Sequence, residues 1–479
     1  MLHSQCFYKQ YINGRWTDSA SDDMIEVKSP VTFKTITSVA AGDPQDARDA
    51  IAAAKEAFPA WARLPLEARI HFIAKLHDGM MREFDLLSAL ETAELGSPKH
   101  FAEKKHVAYQ LSRIPAYIDC ARRFARQTRT PGASVRAEPI GPVVAVTPWN
   151  YPLGQIIQKI VPALLMGNTV VLKPSSLAPL TAVVLARVIE EAGFPRGVFN
   201  LINGSGERFG DSLFTNPCVS LVSFTGSTAK GKEIASLCAP HLIRTSLELG
   251  GKSPAVWLPG LDDYSPACKR LFDSVFLNAG QTCTALSRLL IEESMNEETA
   301  LLMKRMIRCY PAGRPDDPRS ALGPVISLDN YLRIRALMIE ALIEGAEILI
   351  GAIPPEIPTE GYFIEPTVFT RVTPEMRIWR EEIFGPVLSV MTYRTIEEAV
   401  SLANDTPYGL SSAIAGPREL IEPLAERIDA GNVFLNNAAR DITAPFGGFK
   451  ESGWGYESGE EGLRMFVRYK SVFDVGKDE

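Results

Sequence analysis

Long apolar runs, closely spaced cysteines and clustered histidines are what this 479-residue chain lacks. No apolar stretch approaches the roughly 18 residues that span a bilayer. The opening Met1-Leu2-His3-Ser4-Gln5-Cys6 passes quickly into polar sequence, without the apolar core of a secretory signal. A cytoplasmic protein with no membrane partner is the expectation. The seven cysteines stand at 6, 120, 218, 238, 268, 283 and 309, an odd number with no two closer than fifteen residues. That spacing encodes neither a local disulfide framework nor a Cys-x-x-Cys metal site, so no metal is expected. Five of the six histidines (3, 71, 77, 100, 106) lie in the first quarter, and neither His-Glu-x-x-His nor Gly-x-Ser-x-Gly occurs. An excess of one charge is missing too. Lys and Arg total 50 against 57 Asp and Glu, interspersed, for a net charge of −7. This balance argues against nucleic acid as a partner.

What is present is a large apolar fraction: 46% hydrophobic residues, enough for two or three cores, since single cores stop growing near roughly 250–300 residues. After a strand near Tyr8 to Ile12 and the hairpin-like Tyr11-Ile12-Asn13-Gly14-Arg15-Trp16, three segments space their apolar residues by three and four. They are Asp46 to Phe58, Leu66 to Glu94 and Pro98 to Arg123, and they predict helices. Between about 140 and 260, short β-rich runs alternate with helices: Val143–Val146, Thr169–Leu172, Val198–Ile202, Leu221–Phe224 and Ala255–Leu258. A parallel α/β sheet follows. A second alternating series, about 265 to 440, predicts a second α/β unit. Ala352 to Thr359 reads as a surface loop.

Two features carry chemistry. Cys283 lies in Gly280-Gln281-Thr282-Cys283, thirty-five residues after Glu248 in Leu247-Glu248-Leu249-Gly250-Gly251-Lys252-Ser253-Pro254. A thiol can attack a carbonyl and form a thioester, and a carboxylate can activate the water that hydrolyses it. Each residue alone reads otherwise, the cysteine as a small buried hydrophobe and the glutamate as a surface charge. A dinucleotide fingerprint gives only near misses. In Gly204-Ser205-Gly206-Glu207-Arg208-Phe209-Gly210 the third glycine is one place late, and Gly226-Ser227-Thr228-Ala229-Lys230-Gly231 lacks the middle one. Gly226-Ser227 nevertheless follows a strand and opens a helix, so it is either a pyrophosphate cradle or a turn with an N-cap serine.

Seven segments then occur in a definite order. They are Thr147-Pro148-Trp149-Asn150-Tyr151-Pro152, Leu172-Lys173-Pro174-Ser175, Phe224-Thr225-Gly226-Ser227-Thr228, Leu247 to Pro254, Gly280 to Cys283, Glu381-Glu382-Ile383-Phe384-Gly385-Pro386-Val387 and Pro445-Phe446-Gly447-Gly448-Phe449-Lys450. In order and spacing, over essentially the whole chain, the sequence resembles the aldehyde dehydrogenase superfamily, in its non-acylating bacterial type. The resemblance implies an α/β fold: a Rossmann-type cofactor domain (1–119 and 140–250), an α/β catalytic domain (251–450) and a small β oligomerisation arm with the C-terminal tail (120–139 and 451–479).

It also implies NAD(P)-dependent oxidation of a small-molecule aldehyde to its acid. Cys283 is then the nucleophile, Asn150 with the Cys283 backbone N–H the oxyanion site, Glu248 the base for water, and Glu457 a second carboxylate passing protons outward. Lys173 is assigned to the adenosine ribose, and Glu382 with Phe384 to the nicotinamide ribose and ring. Gly226 and Ser227 take the pyrophosphate, with Thr147, Pro148, Trp149, Ser175, Ser176, Gly206 and Leu249 along the same groove. The residues allow other readings: Asn150 as a turn residue, Lys173 as a surface lysine, Glu382 as a helix charge with Glu381 as the alternative register.

One departure concerns the cofactor. NAD-preferring relatives commonly carry Glu after Lys-Pro-Ser, whereas this chain has Ser176. A carboxylate there would repel a 2′-phosphate, so NADP is admitted beside NAD. Arg208 is either an aid to that phosphate or an ordinary helix-surface arginine. The substrate pocket is expected from Tyr151, Gly154, Gln155, Gln158, Thr282, Thr284, the loop Asn437 to Asp441, and Phe446. Gln155 and Gln158 make it polar. Arg440 either pairs with a substrate carboxylate, which implies a polar or ω-carboxylated aldehyde such as a semialdehyde, or forms a turn pair with Asp441. The alternatives are a neutral aliphatic or aromatic aldehyde, a CoA-acylating dehydrogenase, against which Glu248 argues, and a non-catalytic binding protein. A hairpin at about 120–139 and the tail Val467 to Val475 imply a homodimer or homotetramer through exposed strand edges.

Overall fold

β-branched runs flanked by turn residues set the framework, and both α/β series fold around parallel strands buried on two faces. The computed structural model describes residues 5–473 except residue 20. Met1 to Ser4, in the opening read as lacking a secretory signal, and Asp474–Val475 of the expected tail lie outside the described residues.

The first sheet has eight strands in the order Arg15–Thr17, Gln10–Ile12, Phe199–Leu201, Thr169–Lys173, Pro142–Val146, Leu221–Thr225, Arg244–Glu248 and Gly453–Trp454. Its five central strands are parallel, with Val146 opposite Lys173 and Thr225 opposite Glu248. Strand Pro142–Val146 and strand Thr169–Lys173 are buried throughout, as parallel strands covered on both faces must be. Helices Pro152–Leu165 and Leu180–Glu191 pack on one face with Ile156, Ile160, Val184 and Ile189. Ala47, Ile51 and Ala54 of helix Pro44–Arg63, with Ile234 of helix Thr228–Cys238, cover the other.

The second sheet has seven strands in the order Glu347–Ile350, Thr367–Thr370, Val387–Tyr393, Arg288–Glu292, Pro254–Trp257, Ser411–Ala415 and Asn432–Leu435. A separate core forms on it around Trp257, Phe272, Tyr331 and Trp379. A three-stranded sheet joins Gln127–Thr130, Ala133–Pro139 and Val467–Phe473, and the last of these strands is exposed beyond Val467.

Four local expectations are corrected. The run Ala255–Leu258 was expected in the first series, but its strand Pro254–Trp257 pairs with Arg288–Glu292 and Ser411–Ala415 of the second sheet; strand order depends on long-range pairing rather than local pattern. The hairpin begins at Gln127, because Cys120–Arg123 finish helix Arg113–Arg123. The strand near Tyr8 begins at Gln10, after a 3-10 turn at Gln5–Tyr8. The helical stretch Leu66 to Glu94 breaks at Glu83, and the stretch from Pro98 contains a π-helical turn at Ala102–Ala108. The Ala352–Thr359 stretch forms no helix or strand.

Candidate active site

The carboxyl ends of parallel strands are where α/β sheets gather ligands, and four strands of the first sheet end on residues expected to act. Val146 leads into Thr147 to Asn150, Lys173 closes its strand, Thr225 leads into Gly226, and Glu248 closes the fourth. Facing them, the second sheet contributes the loop between helix Ser265–Phe276 and strand Arg288–Glu292, which carries Cys283.

That loop is held in an unusual backbone path. Asn278, Ala279 and Gly280 follow one another at φ +55, +52 and +71°, a left-handed run that costs non-glycine residues energy and needs fixing by its surroundings. The fixing is visible. Gln281 Oε1 accepts from Ile326 N at 2.8 Å and Gln281 Nε2 donates to Asn278 O at 3.1 Å. Asn278 Nδ2 donates to the Asn150 carbonyl at 2.9 Å, and Asn150 Nδ2 returns a bond to Gln281 O at 3.0 Å. The Asn150 carboxamide is therefore buried and locked to the backbone two residues before the thiol, and its Nδ2 makes no second hydrogen bond among the described residues. Gly280 has no substitute here, since a Cβ would stand 2.1 Å from Gly385 O.

The carboxylates sit in an enclosed, nearly unpartnered setting. Glu248 is buried and neither of its side-chain oxygens accepts a hydrogen bond among the described residues. Burial first, then the charge of Glu457, raises its carboxyl well above the usual range, opposed by Lys159 and Arg440. Glu457 accepts from Lys159 Nζ at 2.7 Å in a buried ion pair. Burial first, then the charges of Glu382, Glu248 and Glu457, push the Cys283 thiol up to about 12, with Arg440 acting the other way. Both groups are shifted in the direction that favours the neutral form, the kind of perturbation that marks candidate functional sites.

Cys283 is common to the linings of two cavities. The first, about 370 Å³, is lined by Pro148, Trp149, Asn150, Gly226, Ser227, Leu249, Glu382 and Phe384 among others. Trp149 and Phe384 meet edge to face there at 5.5 Å. Glu382 accepts from Gly251 N at 3.0 Å, whereas Glu381 faces away and pairs with Arg377 at 2.7 Å. Gly250 explains itself: a Cβ would come within 2.6 Å of Glu382 Oε2. Thr147, Lys173, Ser175, Ser176 and Gly206 are not among this cavity's lining. The second cavity, about 380 Å³, is lined by seven substrate candidates, Tyr151, Gln155, Gln158, Thr282, Thr284, Arg440 and Phe446, together with Asn437 of the expected loop. Gly154 instead packs under Gln110. Arg440 and Asp441 do not pair: Arg440 lies 4.1 Å over the Phe446 ring, and Asp441 Oδ1 accepts from Thr443 N and Oγ1. Arg208 is held by Asp23 at 2.7 Å and by Ser21. Ser227 Oγ caps its helix by accepting from Lys230 N.

A model described as the aldehyde dehydrogenase family matches residues 16–472. The chain belongs to the aldehyde dehydrogenase family. It is an oxidoreductase acting on aldehydes. Curated relatives include putative aldehyde dehydrogenases of Staphylococcus epidermidis and Staphylococcus aureus, 38% and 37% identical over 469 residues, which is 97% of this chain and 98% of each relative. Among solved structures, aldehyde dehydrogenase C of Pseudomonas syringae, a cysteine-to-alanine variant complexed with NAD+ and octanal, superposes with a TM-score of 0.97. It is 35% identical, over 100% of this chain and 99% of that one. Lactaldehyde dehydrogenase of Escherichia coli gives 0.93 at 33% identity, over 98% and 99%. A betaine aldehyde dehydrogenase variant of Staphylococcus aureus in complex with NAD+ gives 0.94 at 33%, over 99% and 98%.

Residues that sequence reading missed also line the two cavities. Lys105, Tyr109, Arg113, Arg270 and Asp273 line the cavity of the substrate candidates, and Asn330 and Arg333 line the other. Arg333 donates to the carbonyls of Glu382 and Ile383, holding the turn that presents Phe384 at φ +54°. A signal existed for one group. Phe101, Lys105, Tyr109 and Arg113 recur every four residues, which is one face of a helix.

Proposed function

We propose that the chain oxidises an aldehyde to its carboxylic acid with NAD or NADP through a thioester on Cys283. The observation that carries this reading is the position of Cys283 between the two cavities, with Asn150 and Glu248 beside it. The fit to a dinucleotide rests on the chain's own groups. Among the described residues, Thr147 and Thr225 keep enclosed hydroxyls without partners at two strand ends, and Lys173 is a buried cation with no ion pair, its ammonium lowered to about 8 by burial. The NAD+ complexes of relatives point the same way. Lys173 with Ser175 and Ser176 would hold the adenosine ribose, Gly226 and Ser227 the pyrophosphate, and Glu382, Trp149 and Phe384 the nicotinamide end. When bound, the cofactor is the hydride acceptor.

The residues divide the rest. Cys283 as thiolate adds to the aldehyde carbon, and the oxygen that gains charge is met by the second Asn150 N–H and the Cys283 backbone N–H; such donors contribute roughly 3–4 kcal/mol each in comparable enzymes. Loss of hydride from that carbon leaves the thioester. Glu248 takes a proton from water, which attacks the thioester and frees the acid and the thiolate. Glu457, paired with Lys159, adjusts the charge beside Glu248. The segments 1–119 and 140–250 serve as the cofactor unit, 251–450 as the catalytic unit, and 120–139 with 451–479 as a dimer- or tetramer-forming arm.

For the cofactor, Ser176→Glu is expected to lower the NADP-to-NAD ratio of kcat/KM by about tenfold or more, roughly 1.4 kcal/mol of repulsion against a 2′-phosphate. Initial rates with both cofactors check it, and an unchanged ratio removes Ser176 from the ribose site. For the substrate, the reading is a polar or ω-carboxylated aldehyde, because Arg440 lines the Cys283 cavity and its Nε and Nη2 have no hydrogen-bond partner among the described residues. Two aldehydes of equal length, one ending in a carboxylate and one in a methyl group, decide it. Arg440→Ala should cut kcat/KM for the carboxylated one about tenfold more than for the other, ~1.4 kcal/mol. An equal loss on both makes the neutral aldehyde the better reading.

A further inference from the structure

The cavity that holds the seven substrate candidates is lined by Lys105, Arg113, Arg270 and Arg440 but by a single carboxylate, Asp273. That carboxylate is already engaged, by Lys269 Nζ at 2.5 Å and Tyr310 Oη at 2.6 Å. Arg113 is buried, yet its partners are neutral oxygens only: Gln110 Oε1 at 2.9 Å, Gln158 Oε1 at 3.0 Å and Ser458 Oγ at 3.4 Å. Its Nη2 makes no hydrogen bond among the described residues. Arg440 keeps Nε and Nη2 enclosed and unpartnered. The two guanidinium groups repel each other, since Arg113 lowers Arg440's proton affinity in addition to burial. Glu457 partly offsets the charge of Arg440 but is already paired with Lys159, so two enclosed like charges still favour an anion entering between them. Both heads are also aimed by aromatic rings: Arg113 stands 5.1 Å over Tyr109 and Arg440 4.1 Å over Phe446.

We propose that Arg113 and Arg440 form a two-guanidinium clamp for the carboxylate at the far end of the substrate, with Arg113, supplied by helix Arg113–Arg123, as a specificity-determining residue. This rests on the reading that the same cavity receives the aldehyde. A planar fork on each side suits a carboxylate, whose two oxygens can each accept from a different arginine. Lys105, exposed at the rim over the other side of Tyr109, adds attraction at the entrance.

Arg113 also braces Ser458, so its test must separate binding from bracing. The full-length protein with cofactor is assayed on the carboxylate-ended and methyl-ended aldehydes, as native, Arg113→Gln, Arg113→Lys and Arg440→Ala. Arg113→Gln is expected to lower kcat/KM for the carboxylated aldehyde at least tenfold more than for the methyl-ended one, mostly through KM, and Arg113→Lys to recover part of it. An equal fall on both aldehydes, or none, overturns the clamp. A preference lost in Arg440→Ala but kept in Arg113→Gln overturns Arg113 alone and leaves the carboxylated-substrate reading standing; no preference in the native protein sinks both. Should Arg113→Gln fail to fold, calorimetry on the native protein decides. A non-reacting dicarboxylate of the same length should bind at least tenfold tighter than its monoamide, and equal binding overturns the proposal.

Discussion

Cys283→Ala is expected to abolish aldehyde-dependent cofactor reduction, by roughly four orders of magnitude or more, about 5.4 kcal/mol of lost barrier lowering. The size follows from where the thiol stands. Among the described residues no other cysteine lines either cavity, and Cys120, Cys238 and Cys268 are buried in the cores, so none of these thiols can take over. Among the described residues no histidine lines either cavity. His106, the nearest in the packing, stacks on Tyr151 at 4.9 Å and stands 3.5 Å from buried Glu91, and burial lowers its proton affinity to about 3. The alanine should leave the loop intact, because Asn278, Gln281 and Asn150 hold its path through backbone and amide bonds that do not involve the thiol. Cofactor titration by fluorescence should therefore give a dissociation constant within about threefold of native, ~0.65 kcal/mol. Residual turnover above a few per cent would remove Cys283 from the chemistry.

The distribution of what could be read from the chain has a physical cause. Cys283, Glu248, Asn150 and Glu382 stand in short segments in which glycines, prolines and amides mark where backbone must bend tightly or approach closely, as at Gly250, Gly280 and Asn278. Such constraints are local and leave a local pattern. The apolar runs of the parallel strands are equally local, which is why their positions were legible within a residue or two. Strand order was not, and Pro254–Trp257 pairs across to the second sheet because the partner strands Arg288–Glu292 and Ser411–Ala415 are made by residues far along the chain. The cationic wall was hidden for the same reason. Lys105 and Arg113 come from the helical third, eight residues apart with Tyr109 between them; each cation alone reads as part of a solvated face, and the π-helical turn at Ala102–Ala108 and the packing against Gln158 bring them to the cavity. Lys159 reads as one more helix cation until its buried bond to Glu457 is seen, 298 residues away. Asn330 and Arg333 carry no pattern at all, since their role depends on where helix Leu328–Ile343 meets the Glu382 turn.

Glu248→Gln separates the two halves of the reaction and is expected to stall the second. Acylation needs the thiol, the oxyanion donors and a hydride acceptor, all of which remain. Deacylation needs a base for water, and glutamine has none. The expected result is a rapid burst of reduced cofactor close to one equivalent per site, followed by turnover slower than native by about a thousandfold, ~4.1 kcal/mol. Denaturing mass spectrometry of the stalled enzyme should show Cys283 carrying the acyl group. Absence of a burst would mean that Glu248 also takes the proton from the thiol, a role its position beside a thiol pushed up to about 12 allows. The pH dependence gives a second handle with a definite sign. Burial and Glu457 raise the Glu248 carboxyl well above the usual range, so at low pH it holds its proton and cannot serve as the base. Deacylation in the native protein should therefore rise with pH through values above those of an ordinary carboxylate, then level off once Glu248 is ionised. Removing the neighbouring charge with Glu457→Gln should shift that rise to lower pH, because less repulsion opposes ionisation, provided Lys159 keeps its charge. In Glu248→Gln the rise should vanish, leaving only the slow background attack of hydroxide on the thioester, which climbs tenfold per pH unit without a plateau. Single-turnover decay of the acyl-enzyme across pH distinguishes these curves, and a rise that still levels off to a plateau in Glu248→Gln would assign the base to another group, with Glu457 the next carboxylate to test.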